Sequence, residues 1–301
     1  MTEPAPATDK ALRLSVIIPT FNRAQILASS VKDVLNQNYR DYELWVIDQS
    51  APDQAAANRA FIDQTADPRL HYLHLDKTGL PNARNEGLRR AKGEIVLFLD
   101  DDVILLTPDF LTAHLAAYDD PKVGGVTGRH VERTLHMNSK RTACHVAWSG
   151  RTIFNLFGTE RQEIGTCKGS NMSFRKSVTA SVGGFDRKTN MLEDADFSVR
   201  VADAGWILMY EPAAELVHLS VAAGGVREKS AVETEYRRFS STAYYILKHR
   251  GFWGCVPFVA TFMVIAATRL WRYRSLTIFP GYIKALRGGF ALARTGADQV
   301  I

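Results

Sequence analysis

Residues 94–103 read EIVLFLDDDV, an apolar run that ends in three adjacent carboxylates. Glu94–Leu99 has the length and composition of a buried strand. Three like charges at its end repel by roughly 1 kcal/mol per pair at 4 Å in bulk water, and by about 4 at an effective dielectric of 20. A bound cation would offset that repulsion; a solvated acidic turn is the other reading. The flanking sequence bears on the choice. Upstream, Leu14–Ile18 is a β-branched run ending at Pro19, which predicts a first strand. A helix is predicted after Asn22, with Leu27, Val31, Val34 and Leu35 on one face. Glu43–Ile47 is a second strand that runs into Asp48, and Leu70–Leu75 a third. Asn82–Ala91 reads as a helix stopped by Gly93. Strands alternating with helices over short connections predict a parallel sheet with right-handed crossovers. Ligands of such sheets bind beyond the carboxyl ends of the strands, where Asp48 and Asp100–Asp102 both fall.

Downstream, residues 129–165 have no clear period and read as a variable lobe, part of an acceptor site. A strand over 169–174, a helix over 176–182, a Gly-Gly-Phe-Asp turn at 183–186 and a helix over 192–204 follow. Residues 206–210 and 215–219 read as two short strands. Consecutive strand side chains point to opposite faces, so Asp100 and Asp102 share a side and Asp101 opposes them. Two converging carboxylates suit Mg²⁺ or Mn²⁺, held together with substrate phosphates. In LEDADFSVRVADAG (192–205), Asp196 and Arg200 read as an i,i+4 pair on the helix surface. Glu193 and Asp194 stand in the first turn, where they either complement the helix dipole or leave Asp194 available as a proton acceptor. His218 is a packed residue or a third metal ligand.

The chain has 301 residues, 46% hydrophobic and 23% charged, which places it among globular α/β proteins. Its formal net charge is +5, and the excess lies late. From Arg227 to Arg294 there are twelve Lys or Arg against Glu228, Glu233 and Glu235. That balance points to a membrane surface, since no nucleic-acid motif accompanies it and no nucleic-acid partner is expected. Three cysteines without metal-ligand spacing argue for a reducing compartment. The start, MTEPAPATDKA, lacks an apolar segment and reads as a short disordered lead rather than a signal peptide. Residues 252–268 carry no charge and lie between basic flanks. An interfacial or re-entrant segment, a core helix and a true span all stay open for them.

SVIIPTFNR (15–23), ELWVIDQSAPD (43–53), GLPNARNEGL (79–88), EIVLFLDDDV (94–103), GSNMSFRK (169–176), GGFD (183–186), EDADFSVR (193–200), GWILMYEP (205–212) and ELVH (215–218) occur in this order. Together they resemble the inverting glycosyltransferases of family 2, of non-processive type, since the Gln-x-x-Arg-Trp motif of processive synthases is missing. The resemblance covers about residues 12 to 220. It implies a GT-A fold, an α/β architecture with a Rossmann-like, mostly parallel sheet flanked by helices. It also implies hexosyltransferase-like transfer of one sugar from a nucleoside-diphosphate sugar to a hydroxyl of a glycan or lipid-linked acceptor, in surface polysaccharide or glycolipid synthesis.

By that resemblance Asp194 is the catalytic base, and Glu193 beside it faces donor or acceptor sugar. Asp102 is a metal ligand and Asp100 lies near ribose and metal, with Asp101 between them. His218 matches a histidine that joins the metal in some members. Pro19, Thr20, Asp48, Gln49 and Arg84 match positions around the donor nucleotide. Gln49 departs from an Asp common in the family. Its amide oxygen could still accept from a pyrimidine N–H, so UDP or TDP is the expected carrier. The expected organisation is a lead over 1–11, a GT-A domain over 12–222, and a helical, basic, membrane-associating region over 223–301. The expected location is the cytoplasmic face of a membrane, held peripherally. A sugar-phosphate nucleotidyltransferase stays open as an alternative, although the Gly-rich phosphate loop expected after its first strand is lacking. So does a catalytically silent nucleotide-sugar-binding subunit.

Overall fold

The structure, a computed structural model, describes residues 13–131, 140–189, 191–221, 231–261, 263–264 and 287–291. The expected disordered lead, residues 265–268 of the uncharged stretch and most of the chain beyond them lie outside the described residues. Strands and helices alternate from the start. They are β1 (Leu14–Thr20), α1 (Ala24–Leu35), β2 (Tyr42–Asp48), α2 (Pro52–Thr65), β3 (Leu70–His74), α3 (Leu80–Arg90) and β4 (Ile95–Leu99). The short β5 (Val103–Leu105), α4 (Phe110–Ala116), β6 (Val123–His130), the hairpin β7 (Ala143–Val146) and β8 (Thr152–Asn155), and β9 (Gln162–Glu163) follow. The chain continues with β10 (Asn171–Arg175), α5 (Lys176–Val182), α6 (Glu193–Asp203), β11 (Ile207–His218) and α7 (Ala231–Arg250).

The main sheet runs in the order β3-β2-β1-β4-β10-β6-β11-β5, with β9 on β11. β3, β2, β1 and β4 are mutually parallel; β10 enters antiparallel between β4 and β6, and β11 pairs parallel with β6. Helices cover both faces, so the central strands are apolar on both sides and all seven residues of β1 are buried. Leu14, Val16 and Ile18 pack on one face with Leu27, Val31 and Val34 of α1 and with Phe110 of α4. Ile17, Val96 and Phe98 pack on the other with α3, α5 and α6 through Leu88, Val178 and Phe197. The parallel strands bring the ends of β1, β2 and β4 to one edge, where Thr20 pairs with Asp48 in register.

The sequence reading differs from the structure in three places. α2, α4 and the strands β5 to β9 were not expected: α2 has no clear apolar stripe, α4 is under two turns, β5 has three residues, β6 runs into the stretch without period, and β7 to β9 lie within it. The two short strands expected over 206–210 and 215–219 are one strand, β11. Its register against β6 shifts between Glu211 and Glu215, a bulge that accommodates Pro212, which has no N–H for a ladder bond. Asp196 is not on the helix surface; it is 0% exposed.

That burial follows from α7, which packs Phe239, Ala243, Tyr245 and Ile246 against Ala195 of α6. Asp196 accepts hydrogen bonds from Lys248 Nζ at 2.6 Å and His249 Nε2 at 2.8 Å, and pairs with Arg200 at 2.9 Å. Asp186 of the Gly-Gly-Phe-Asp turn accepts from Tyr244 Oη at 2.6 Å and Lys248 Nζ at 2.8 Å. Burial alone would raise the Asp196 carboxyl, but His249, Arg200 and Lys248 hold it well below the usual carboxylate range. Lys248 is thus the cation shared by two buried acids. Lys248→Met is expected to destabilise the fold by about 3–5 kcal/mol, the scale for removing one partner of a buried ion pair, read from urea unfolding.

Candidate active site

The carboxyl ends of β1, β2 and β4 open into a cleft lined by Pro19, Thr20, Phe21, Arg23, Gln49, Leu80, Asp100, Asp101, Asp102 and His218. Seven of these are sequence-predicted: Pro19, Thr20, Gln49, the three aspartates and His218. His218 arrives from the last residue of β11, whose partner strand β5 begins at Val103 and pairs with it directly. That pairing puts the imidazole beside the acidic turn. His218 Nε2 lies 2.8 Å from Asp102 Oδ1 and 3.6 Å from Asp100 Oδ2. One ligand atom from each of Asp100, Asp102 and His218 lies within 4.8 Å of the other two. Two carboxylates and one imidazole on so short a spacing fit a divalent cation of the Mg²⁺ or Mn²⁺ kind, with positions left for phosphate oxygens and water.

β4 ends at Leu99, so the alternation expected for the three aspartates does not carry into their turn, and Asp101 lines the same cleft and meets the same Arg23 as Asp102. The Asp101 oxygens accept from Thr20 Oγ1 at 2.7 Å and Arg23 Nη1 at 2.8 Å. Burial pushes its carboxyl up, against the pull of Thr20 and Arg23. Asp102 behaves oppositely. Burial alone would raise it, but His218, the Val221 N–H at 2.6 Å and the Arg23 charge hold it below the usual range.

Arg23 is the functional candidate that sequence reasoning did not single out. It stands 3.6 Å from Asp102 and donates to the Val221 carbonyl at 2.8 Å, tying the segment after β11 to the acidic turn. A basic residue just past the first strand, in a fold whose strand ends carry acids, was the signal available.

Gln49 faces the cleft with both amide atoms engaged, Nε2 on the Lys77 carbonyl at 2.7 Å and Oε1 on the Gly79 N–H at 3.1 Å. One Oε1 lone pair is left for a base N–H. Gly79, at φ 134°, occupies a region closed to side chains and turns the chain into α3. Asp48 does not reach the cleft. It is 0% exposed, and its carboxylate accepts from Ser50 N, Asn58 Nδ2 and Tyr72 Oη, each at 2.8 Å. In the structure it fixes the loop that carries Gln49.

Arg84, Glu193 and Asp194 are not among the residues that line this cleft, but they are linked to it. Arg84 is 1% exposed; it pairs with Glu193 at 2.8 Å, lies 3.7 Å from Asp100, and donates to the Gly169 carbonyl at 3.1 Å. The N–H of the same Gly169 donates to Asp194 Oδ2 at 2.8 Å, and the Ala195 N–H holds Oδ1 at 2.8 Å. A Cβ on Gly169 would meet Arg84 Nη2 at 2.7 Å and Asp194 Oδ2 at 3.2 Å, so any larger residue there would displace the Arg84 guanidinium from its bonds. Burial and the Asp194 charge push the Glu193 carboxyl up, with Arg84 opposing. Leu192, in the left-handed region at φ 69°, sets the chain direction that puts both acids in the first turn of α6. A chain of contacts therefore runs from Asp102 and His218 through Asp100, Arg84 and Gly169 to Asp194.

The fold is that of a GT-A glycosyltransferase. The model of the family "Glycosyl transferase family 2" matches residues 15–183, and the chain belongs to that family. It is 32% identical over 250 residues to the putative colanic acid biosynthesis glycosyl transferase WcaA of Escherichia coli K12, covering 79% of this chain and 81% of the relative. It is 38% identical over 96 residues to the GalNAc(5)-diNAcBac-PP-undecaprenol β-1,3-glucosyltransferase of Campylobacter jejuni, covering 32% of this chain. The chain spans 31% of that relative's length and 26% of that of an uncharacterised Sinorhizobium fredii protein it also matches. Among solved structures it resembles a Pyrobaculum calidifontis mannosyltransferase in complex with GDP-Man and Mn²⁺. The TM-score is 0.59 at 21% identity, over 94% of this chain and 76% of the other. It also resembles residues 1–349 of S. aureus TarS in complex with UDP-GlcNAc, at TM-score 0.64 and 17% identity over 93% and 81% of the two chains.

Proposed function

We propose that this protein transfers one sugar, with inversion and with the help of a divalent cation, from a nucleoside-diphosphate sugar to a hydroxyl of a glycan or lipid-linked acceptor. The pathway class that fits is surface polysaccharide or glycolipid synthesis. The observation that carries the proposal is the Asp100–Asp102–His218 cluster in a cleft at the strand ends, joined through Arg84 and Gly169 to Asp194. Family membership supports the same reading.

Asp100, Asp102 and His218 would hold the cation, and the imidazole in that set favours Mn²⁺ over Mg²⁺. When bound, the ion supplies Lewis-acid neutralisation of the diphosphate that leaves. Pro19 and Thr20 border the donor end of the cleft, and Gln49 offers its remaining Oε1 lone pair to a pyrimidine N–H, which suits UDP or TDP. Arg23 adds a fixed positive charge beside the acidic turn. Arg84 orients Glu193 against the sugars and keeps the Gly169 peptide in place. Asp194, held by two backbone N–H groups, keeps lone pairs free to take the acceptor hydroxyl's proton as that oxygen attacks the anomeric carbon. The bond to the diphosphate breaks on the opposite face. One carboxylate suffices, because a diphosphate leaves as an anion and needs no acid partner, unlike the leaving group of a glycosidase.

Thermal melting with Mn²⁺ and UDP-, TDP- or GDP-sugars tests this reading. One donor class, UDP or TDP, is expected to raise Tm through binding of the native state, and chelation of the metal to remove the rise. A melting point indifferent to every nucleotide sugar would sink the proposal.

A further inference from the structure

Nine large apolar side chains are well exposed among the described residues, and six of them fall within 252–264: Phe252, Trp253, Val256, Val259, Met263 and Val264. Phe252 and Trp253, in a 3₁₀ turn, are 67% and 80% exposed. The segment that follows is helical over 255–261 and buries its other face, Cys255 and Phe258, against α7 and α6. Its orientation is therefore fixed, apolar side chains both in and out. Trp148, 75% exposed at the tip of the β7–β8 hairpin, belongs to the same surface. Arg250 donates to the carbonyls of Val146, Ala147 and Trp148 at 3.0, 2.7 and 2.8 Å and lies 5.3 Å from the Trp148 ring centre. The guanidinium thus clamps the hairpin tip to the end of α7, two residues before Phe252.

Isolated exposed apolar residues are ordinary; three aromatic rings and an aliphatic helix face together mark a docking surface. The surrounding charge identifies what docks. From residue 236 to 297 the sequence has ten Lys or Arg and not one Asp or Glu, and one of the ten, Lys248, is committed to the buried Asp186 and Asp196. Indole and phenyl rings seat at the headgroup level of a bilayer, and a stretch without carboxylates complements anionic headgroups. We infer that Trp148, Phe252, Trp253 and the outer face of the 255–261 helix seat on an anionic lipid bilayer, lying on it without spanning it. No helix among the described residues is long and apolar enough to cross a membrane.

The surface has a fixed relation to the cleft. Lys248 and His249, just ahead of it, bond Asp196, two residues from Asp194 on α6. Phe252 follows Lys248 by four residues, at most about 14 Å of chain. Seating the rings in a headgroup layer therefore holds α6 near the lipid surface from which a lipid-linked acceptor would enter. That last link rests on the function proposed above; the docking itself does not.

Flotation of the protein with phosphatidylcholine vesicles, with and without phosphatidylglycerol, tests the inference without any nucleotide present. The expected result is flotation with the phosphatidylglycerol vesicles, weakened by salt. The Phe252→Ser/Trp253→Ser variant is expected to lose about tenfold or more of the bound fraction, as insertion of the two rings is lost. Both side chains are exposed, so its melting point should stay near that of the parent. Trp148→Ser should weaken binding independently. Failure to float with anionic vesicles overturns the inference, as does equal flotation of the double variant. So does a concentration-dependent dimer that the double variant abolishes, which would assign the surface to a second copy of the chain. Nucleotide-sugar melting shifts, measured separately on the same proteins, report the proposed reaction and leave the vesicle result unaffected.

Discussion

Asp194→Asn is expected to reduce sugar transfer about 10²-fold or more while leaving donor binding in place, the usual scale for loss of a general base. The substitution is close to isosteric. Asp194 Oδ1 and Oδ2 each accept a single backbone N–H, from Ala195 and Gly169. An Asn side chain keeps one of these with its amide oxygen, yet cannot take up the hydroxyl proton. Its NH₂ would face a backbone N–H, and the side chain must turn slightly. The disturbance is confined to the one backbone N–H, of Gly169 or Ala195, that loses its acceptor, and neither residue lines the nucleotide end of the cleft. Product formation over time, beside the donor-induced melting shift, separates the two effects. Turnover near that of the parent would remove Asp194 from the role of base.

Asp102→Ala carries the second large expectation, abolition of Mn²⁺-dependent nucleotide binding. Asp102 is the best connected of the three metal-ligand candidates. It meets His218 at 2.8 Å, accepts the Val221 N–H at 2.6 Å and, through its carbonyl, the Leu219 N–H at 2.9 Å. Truncation removes a ligand and also the acceptor of the Val221 N–H, leaving the Leu219 and Arg23 ties to the acidic turn in place. Asp102→Asn separates these effects, because its amide oxygen can still accept the Val221 N–H while the charge that would hold a cation is gone. Calorimetric titration of nucleoside diphosphate, with and without Mn²⁺, is expected to show metal-dependent affinity in the parent and none in either variant. Affinity that is unchanged and independent of metal would mean that another group is the ligand.

The core strands and helices of the first hundred residues were legible because their signals are local. Val16 and Ile18 on one face of β1 and Ile17 on the other, all 0% exposed, make the continuous apolar run of a strand covered on both sides. Leu27, Val31 and Val34 keep the helical period because one face of α1 meets that sheet. α2 escaped notice because it lies against the sheet edge with few apolar contacts, Ala55 and Ile62 among its buried residues. Asp48 shows the limit of a motif read alone. It stands at a strand end, where a ligand contact is expected, yet three protein donors occupy it.

By itself, the sequence determined an alternating α/β chain with acids at the ends of its strands and a late stretch without carboxylates, because period, composition and charge are properties of neighbouring residues. Only the tertiary structure decided which distant groups meet. Arg84 pairs with Glu193 across 109 positions, and the Val221 N–H reaches Asp102 across 119. His218 joins the acids because an antiparallel β5–β11 pair sets it opposite Val103. Asp196, by helical spacing a surface residue, is buried because α7 lays Lys248 and His249 over it. Such contacts follow from sheet order and packing, which no stretch of one chain encodes locally.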